Sequence, residues 1–135
     1  MKKTSIFAIT LFILAACSST SPAITGDWKL ISYGDAAHPT PAIPNVDTSI
    51  KFDSNGQVNG NVGCNSFGGN YEVSGDKINF SSIMATLMYC EETSLQEQAV
   101  LSVFFDNLKL QIQMNGDTLT ITSADGSTVV NLARQ

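Results

Sequence analysis

Apolar and polar residues alternate along most of this chain with the two-residue period of a strand whose faces see different surroundings. The clearest run is Leu108 to Met114. Leu108, Leu110, Ile112 and Met114 fall on one side, and Lys109, Gln111 and Gln113 on the other. Asn115-Gly116 then supplies a tight turn, and Thr118 to Thr122 returns as the partner strand. The same grammar predicts a hairpin from Ser49–Phe52 through Ser54-Asn55-Gly56 to Gln57–Val62. It predicts another from Asn70–Val73 through Ser74-Gly75-Asp76 to Lys77–Phe80. Gly26–Tyr33 reads as a first strand. Ser127–Leu132, after the turn Ala124-Asp125-Gly126, reads as a last one.

Two segments depart from this period. Gly34–Asp47 holds three of the four prolines, which cannot donate to a strand ladder, so it is predicted as a long exposed loop. After Ser94, Leu95, Ala99, Val100, Val103, Phe104 and Leu108 recur at helical spacing. Ser94-Leu95-Gln96-Glu97 has the form of a capping box, in which the serine caps the first turn and the glutamate reaches back to it. A helix over about 94–106 is therefore expected to pack on the sheet. The predicted fold is α+β, a small antiparallel sheet or barrel of hairpins with one packed helix. Closure into a barrel would remove exposed strand edges.

The first residues follow another logic. Lys2 and Lys3 precede an apolar run, Ser5–Leu14. That run is too short to span a bilayer, which needs about 20 helical residues. Basic start, short apolar run and small residues read as an export signal over residues 1–16. Leu14-Ala15-Ala16-Cys17 resembles the lipobox of bacterial lipoproteins. The resemblance implies cleavage before Cys17, a covalent diacylglycerol on its sulfur and an N-acyl chain such as palmitate. Two or more acyl chains hold a protein durably on a membrane, at about 0.8 kcal/mol per buried CH₂. Residues 17–25 become the lipidated tether, with a folded domain over 26–135. Ser18 in place of aspartate implies, by the same resemblance, sorting to the outer membrane, facing the periplasm.

Export changes the reading of charge and cysteine. Without residues 1–16, five of the seven basic residues remain against twelve acidic ones, roughly −7. Such a domain has no clustered Lys/Arg for nucleic acid and no polybasic membrane patch. Cys64 and Cys90 are an even remainder in an oxidising compartment, which suggests a disulfide. Two buried thiols are the first alternative. A metal site with His38, the one histidine, is the second, though it lacks the paired short spacings of zinc sites.

From Val62-Gly63-Cys64-Asn65 to Gly68-Gly69-Asn70-Tyr71 the sequence stops being generic. That run, the Trp28 strand before it and Thr86-Leu87-Met88-Tyr89-Cys90 after it resemble the META domain, the HslJ-like family. Leu87 departs from the pattern, where the family often has a basic residue. The resemblance implies a non-enzymatic envelope lipoprotein, an accessory or binding module supporting stress tolerance through a protein partner. In the segment itself, Gly63, Gly68 and Gly69 offer conformations barred to residues with a Cβ, and Asn65 can stabilise a turn through its own backbone. Cys64 could join this bend to Cys90. Asn65, Ser66 and Tyr71 are the candidate binding surface.

Catalytic readings find little support. His38 sits between Ala37 and Pro39, with no nucleophile elbow near any serine. Glu91 and Glu92 are adjacent residues entering a helix, where acidic groups suit the dipole better than they suit paired catalysis. The glycines from Gly60 to Gly69 have no phosphate-binding lysine and no following helix. Met84 and Met88, four apart, read as core packing. No cofactor and no metal are expected beyond the lipid on Cys17. The alternative function is a carrier, a small barrel holding an apolar ligand or lipid in a cavity lined by Phe80, Leu110 and Ile112. A Cys64–Cys90 bridge makes a checkable demand: the unreduced, unfolded chain should offer neither cysteine to an alkylating reagent, and two labelled thiols there would remove the bridge.

Overall fold

A computed structural model describes residues 21–105 and 109–135. Cys17 and Leu108 lie outside the described residues. The described residues form β1 (Gly26–Asp35), β2 (Thr40–Pro41), β3 (Ser49–Phe52), β4 (Gln57–Asn61), β5 (Ser66–Ser74) and β6 (Lys77–Ala85). They continue as α1 (Ser94–Phe105), β7 (Leu110–Asn115), β8 (Thr118–Thr122) and β9 (Thr128–Arg134). Every strand pairing is antiparallel. β1 pairs with β3 on one edge and β9 on the other, so eight strands close into a ring in the order β1-β3-β4-β5-β6-β7-β8-β9. The expected sheet with one helix is present, but the balance is strongly toward β: the domain is an antiparallel barrel carrying a single helix.

β2 lies outside the ring. It pairs with β1 through Ser32–Pro41 and Tyr33–Thr40, and the Ala42 N–H donates to the Ile31 carbonyl at 2.8 Å. The proline-rich segment is therefore partly strand, and β1 runs past its expected end. Pro41 is tolerated on a two-residue outer strand.

Two irregularities bend the ring. Against β9 the register of β1 shifts between Leu30 and Ser32. Inward residues accordingly change phase, from Trp28 and Leu30 to Tyr33, and Ile31 turns outward. Between β5 and β6 the register shifts again, Gly68 facing Met84 and Asn70 facing Ser81. Ser82 takes φ 54° in this bulge. A Cβ on Gly69 would lie 3.0 Å from the backbone at Ile83 Cα and Ser81 O, so the bulge leaves little room for a side chain opposite it. Bulges sharpen local twist, as barrel closure demands.

Among the described residues, β6 and β7 are in register only at Lys77–Gln111 and Ile78–Leu110. α1 packs against β1, β6 and β9. Phe104 sits 4.5 Å from the Phe80 ring and 5.6 Å from Phe67, centroid to centroid. Trp28, Ile50, Phe52, Ile78, Phe80, Phe104, Leu119, Ile121 and Leu132 are essentially inaccessible to solvent. Leu110 and Ile112 join them. Phe80, Leu110 and Ile112 thus fill the barrel where a carrier would need them to line a void.

Three apolar positions expected in the core are outside it. Met84 is 75% exposed, on the outer face of β6 opposite Gly68, which has no side chain to pack on it. Met88 is exposed because β6 has ended and its backbone is held by Asn65. Leu95 is 76% exposed, because α1 turns Gln96, Glu97, Val100, Leu101, Val103 and Phe104 inward. Phe104→Ala is expected to cost about 3–5 kcal/mol in urea unfolding, the range for a buried aromatic. Leu95→Ala should stay within about 0.5 kcal/mol, as exposed substitutions do. Equal costs would place the helix on the wrong face.

Candidate functional site

The chain leaves β4, bends through Gly63, Cys64 and Asn65, and enters β5. This bend lies on the first turn of α1. The N–H groups of Cys64 and Asn65 both donate to Glu97 Oε1, the second at 2.7 Å. Asn65 Nδ2 donates to Glu97 Oε2 at 2.7 Å. Contact is so close that a Cβ on Gly63 would meet Glu97 Oε1 at 2.6 Å and Thr93 Cβ at 2.8 Å. Gly63, Gly68 and Gly69 do not adopt positive φ. The expected conformational reason for them is thus replaced by close approach at Gly63 and Gly69.

Asn65 does not bond its own turn. Its side chain reaches the segment after β6, across more than twenty residues of sequence. Oδ1 accepts from Thr86 Oγ1 and from the Met88 N–H, each at 2.8 Å, and Nδ2 also donates to the Met88 carbonyl at 2.9 Å. Cys64 and Cys90 form a disulfide beside these bonds, with Cα atoms 6.2 Å apart. Gln96 works in parallel. Its Nε2 donates to the Val62 carbonyl at 2.6 Å, and its Oε1 accepts from the Ile43 N–H at 2.8 Å. The bend and the segment at Ile43 are therefore tied directly to one helical turn, and the segment after β6 is tied to it through Asn65.

The capping box does not form as the pattern predicts. Ser94 Oγ donates to the Glu91 carbonyl, and the Glu97 N–H donates to the Thr93 carbonyl. The glutamate side chain is committed to the bend instead. Glu97 is only 6% exposed, and among the described residues no Lys or Arg lies within 4.0 Å of it. Burial pushes its carboxyl upward. The hydrogen bonds from Asn65, Cys64 and Thr93 outweigh that and hold it below its ordinary value of 4.5.

The expected site residues are only partly brought together. Asn65 is buried and fully engaged, and Ser66 beside it is exposed, its N–H donating to Thr86 Oγ1. Tyr71 lies elsewhere. Its hydroxyl donates to the Asp53 carbonyl at 2.6 Å, and its ring meets Phe52 edge-on at 5.0 Å, closing the first hairpin. His38 is exposed near Asp35, and Glu91 and Glu92 are exposed at the approach to α1.

Sequence reasoning missed Gln96 and Glu97 as the residues on which this node turns. It also missed a groove beside them. Ala85, Thr86, Leu87 and Tyr89 form one wall, Gln98, Leu101, Ser102 and Phe105 the other, with Asn65 and Glu97 at its floor. The groove encloses about 580 Å³. Leu87 is 97% exposed and Tyr89 83% exposed at its rim. A second depression of about 520 Å³ lies between β1 and the proline segment, lined by Lys29, Ile31, Pro44 and Asp47 among others.

The carboxylate makes acid stability diagnostic. Its folded pKa is depressed, so its contribution is complete above about 4.5 and is lost as pH falls through the folded value. Glu97→Gln should cost about 2–3 kcal/mol at pH 7, the scale of hydrogen bonds to a charged acceptor. The difference from wild type should shrink below pH 4.5. Asp125, held at about 2 by Ser123 and Ser127, is common to both proteins and cancels from the comparison. Parallel loss of stability in both proteins down to pH 3 would show that Glu97 is not the titrating group.

Comparison with known proteins places this architecture. The family model of the META domain matches residues 22–135. No curated protein matches the chain. A protein from Burkholderia xenovorans solved by NMR superposes with a TM-score of 0.67 at 17% identity, covering 99% of this chain and 97% of its own. A DUF4847 family protein from Bacteroides vulgatus, in a crystal structure at 1.00 Å resolution, superposes at 0.60 and 14% identity, covering 82% and 93%. At such identities the likeness is one of fold. With barrel, bend and helix all inside the matched span, the chain belongs to the META domain family.

Proposed function

We propose that this protein is a lipid-anchored module of the cell envelope that acts by binding a protein partner, without turnover. One observation carries the reading: the barrel is filled by its own side chains, while the groove beside α1 leaves apolar residues in solvent. An acyl carrier needs the reverse arrangement. Monomeric proteins rarely leave contiguous apolar surface uncovered unless something binds there.

The disulfide supports an exported location, since such bonds persist in oxidising compartments. The lipobox-like run ending at Cys17 supports attachment through acyl chains, and Ser18 supports the outer membrane, facing the periplasm. A role in envelope stress tolerance fits a module that stiffens or recruits a partner at that surface. Among the described residues, His38, Glu91 and Glu92 are all exposed, which favours binding over acid–base catalysis in a closed site. No cofactor beyond the lipid is required by this reading.

The anchor is tested by replacing its attachment atom. Cys17→Ala should accumulate as an unprocessed precursor, take up no radiolabelled palmitate and lose stable attachment after processing is bypassed with a cleavable leader. Unchanged palmitate incorporation in that variant would refute the anchor.

A further inference from the structure

The groove carries more than the presence of apolar surface, because its wall is also a strand edge. β6 pairs with β5 along one side up to Ala85, but on its other side, among the described residues, only Lys77 and Ile78 meet β7. The Thr86 N–H donates to the Ser66 carbonyl, toward β5. The Met88 N–H likewise donates to Asn65 Oδ1, so by alternation the peptide groups of Ala85 and Leu87 face the other way, toward the groove. No strand among the described residues meets them there. An extended polypeptide is the ligand that satisfies such an edge, since it presents N–H and C=O groups at matching intervals.

Charge narrows the ligand. Among the described residues no lysine or arginine lines the groove. Glu97 lies at the floor without a cation within 4.0 Å among the described residues, and Glu91 and Glu92 are exposed where the chain enters α1. The whole chain is acidic, at net −5. A cationic partner is favoured and an anionic bilayer disfavoured.

Position argues further against the anchoring membrane. Ser21 accepts a hydrogen bond from the Gly75 N–H, at the β5–β6 turn. The groove is at the opposite end of β6, about 26 Å away at roughly 3.3 Å per residue. The chain from Cys17 to Ser21 spans at most about 14 Å. A barrel standing on this tether presents the groove outward.

We propose that the groove between β6 and α1 docks an extended, positively charged polypeptide segment. Its backbone pairs with Ala85 and Leu87, and an apolar side chain seats against Leu87, Leu101 and Phe105. This rests on the binding-module reading above and names the partner's chemistry.

The probe is a ten-residue peptide alternating lysine and valine, titrated by fluorescence anisotropy against the full lipidated chain in phosphatidylcholine nanodiscs. The wild type should bind it at least tenfold more tightly than a glutamate–valine peptide. N-methylation of alternate peptide groups should weaken binding tenfold or more. Leu87→Asp is the decisive variant, because Leu87 is almost fully exposed and its loss leaves the core intact. It adds negative charge, so adventitious attraction of a basic peptide would strengthen, whereas groove docking predicts at least tenfold weakening. Tighter binding by Leu87→Asp, indifference to N-methylation, or equal binding of the acidic peptide would overturn the proposal. So would finding that Leu87→Asp instead abolishes self-association or binding to phosphatidylglycerol vesicles while the peptide does not bind. The palmitate result with Cys17→Ala is independent of all these outcomes, so the anchor and the groove can fail separately.

Discussion

Glu97 is held under the protein surface by neutral donors, with no ion pair to it among the described residues. Burying a carboxylate is costly unless donors replace its hydration. Here the donors come from the bend at Cys64 and Asn65 and from Thr93. Much follows from that requirement. Gly63 must lack a side chain to let the carboxylate approach. Leu95 must face solvent, because the helix is turned to send Glu97 inward. The bend must hold its shape, because two consecutive N–H groups converge on one oxygen.

Asn65 passes this constraint onward. An amide has two donor hydrogens and two acceptor lone pairs. Asn65 divides them between Glu97 on one side and Thr86 and Met88 on the other. The segment after β6 is therefore fixed by polar bonds and the disulfide, and its apolar side chains are left free to face outward. Leu87 and Tyr89 are exposed because their backbone, not their packing, sets their position. Rigid presentation of apolar groups lowers the ordering cost of binding.

The barrel and the helix solve one problem together. α1 lies against β1, β6 and β9, and its Phe104 packs between Phe67 and Phe80. Among the described residues no strand pairs with β6 beyond Ile78 on the side away from β5, and the groove borders the end of that edge. Core and candidate interface share that helix: Phe104 faces the barrel and Phe105 lines the groove.

The hairpins were legible because alternation with a two-residue period and Asn-Gly or Ser-Gly turns are local signals, complete within about ten residues. Leu110, Ile112, Leu119 and Ile121 face inward as the pattern requires, and the helix starts at Ser94 as expected. The importance of the Gly63-Cys64-Asn65 bend was also visible, as was the pairing of its cysteine with Cys90. Its mechanism was not. Glu97 matched a capping box, a local use of the same side chain, and nothing within that window reveals a competing set of donors more than thirty residues away. Met84 and Leu95 have apolar side chains at plausible spacings, yet their burial depends on what the opposing element supplies, and opposite Met84 it supplies Gly68. The amino-acid sequence by itself determined the strands, their turns and the presence of one helix, because those depend on neighbours along the chain. Only the tertiary structure decided barrel closure, the rotation of the helix and the open groove, because those depend on which distant backbone groups claim a buried carboxylate and an amide.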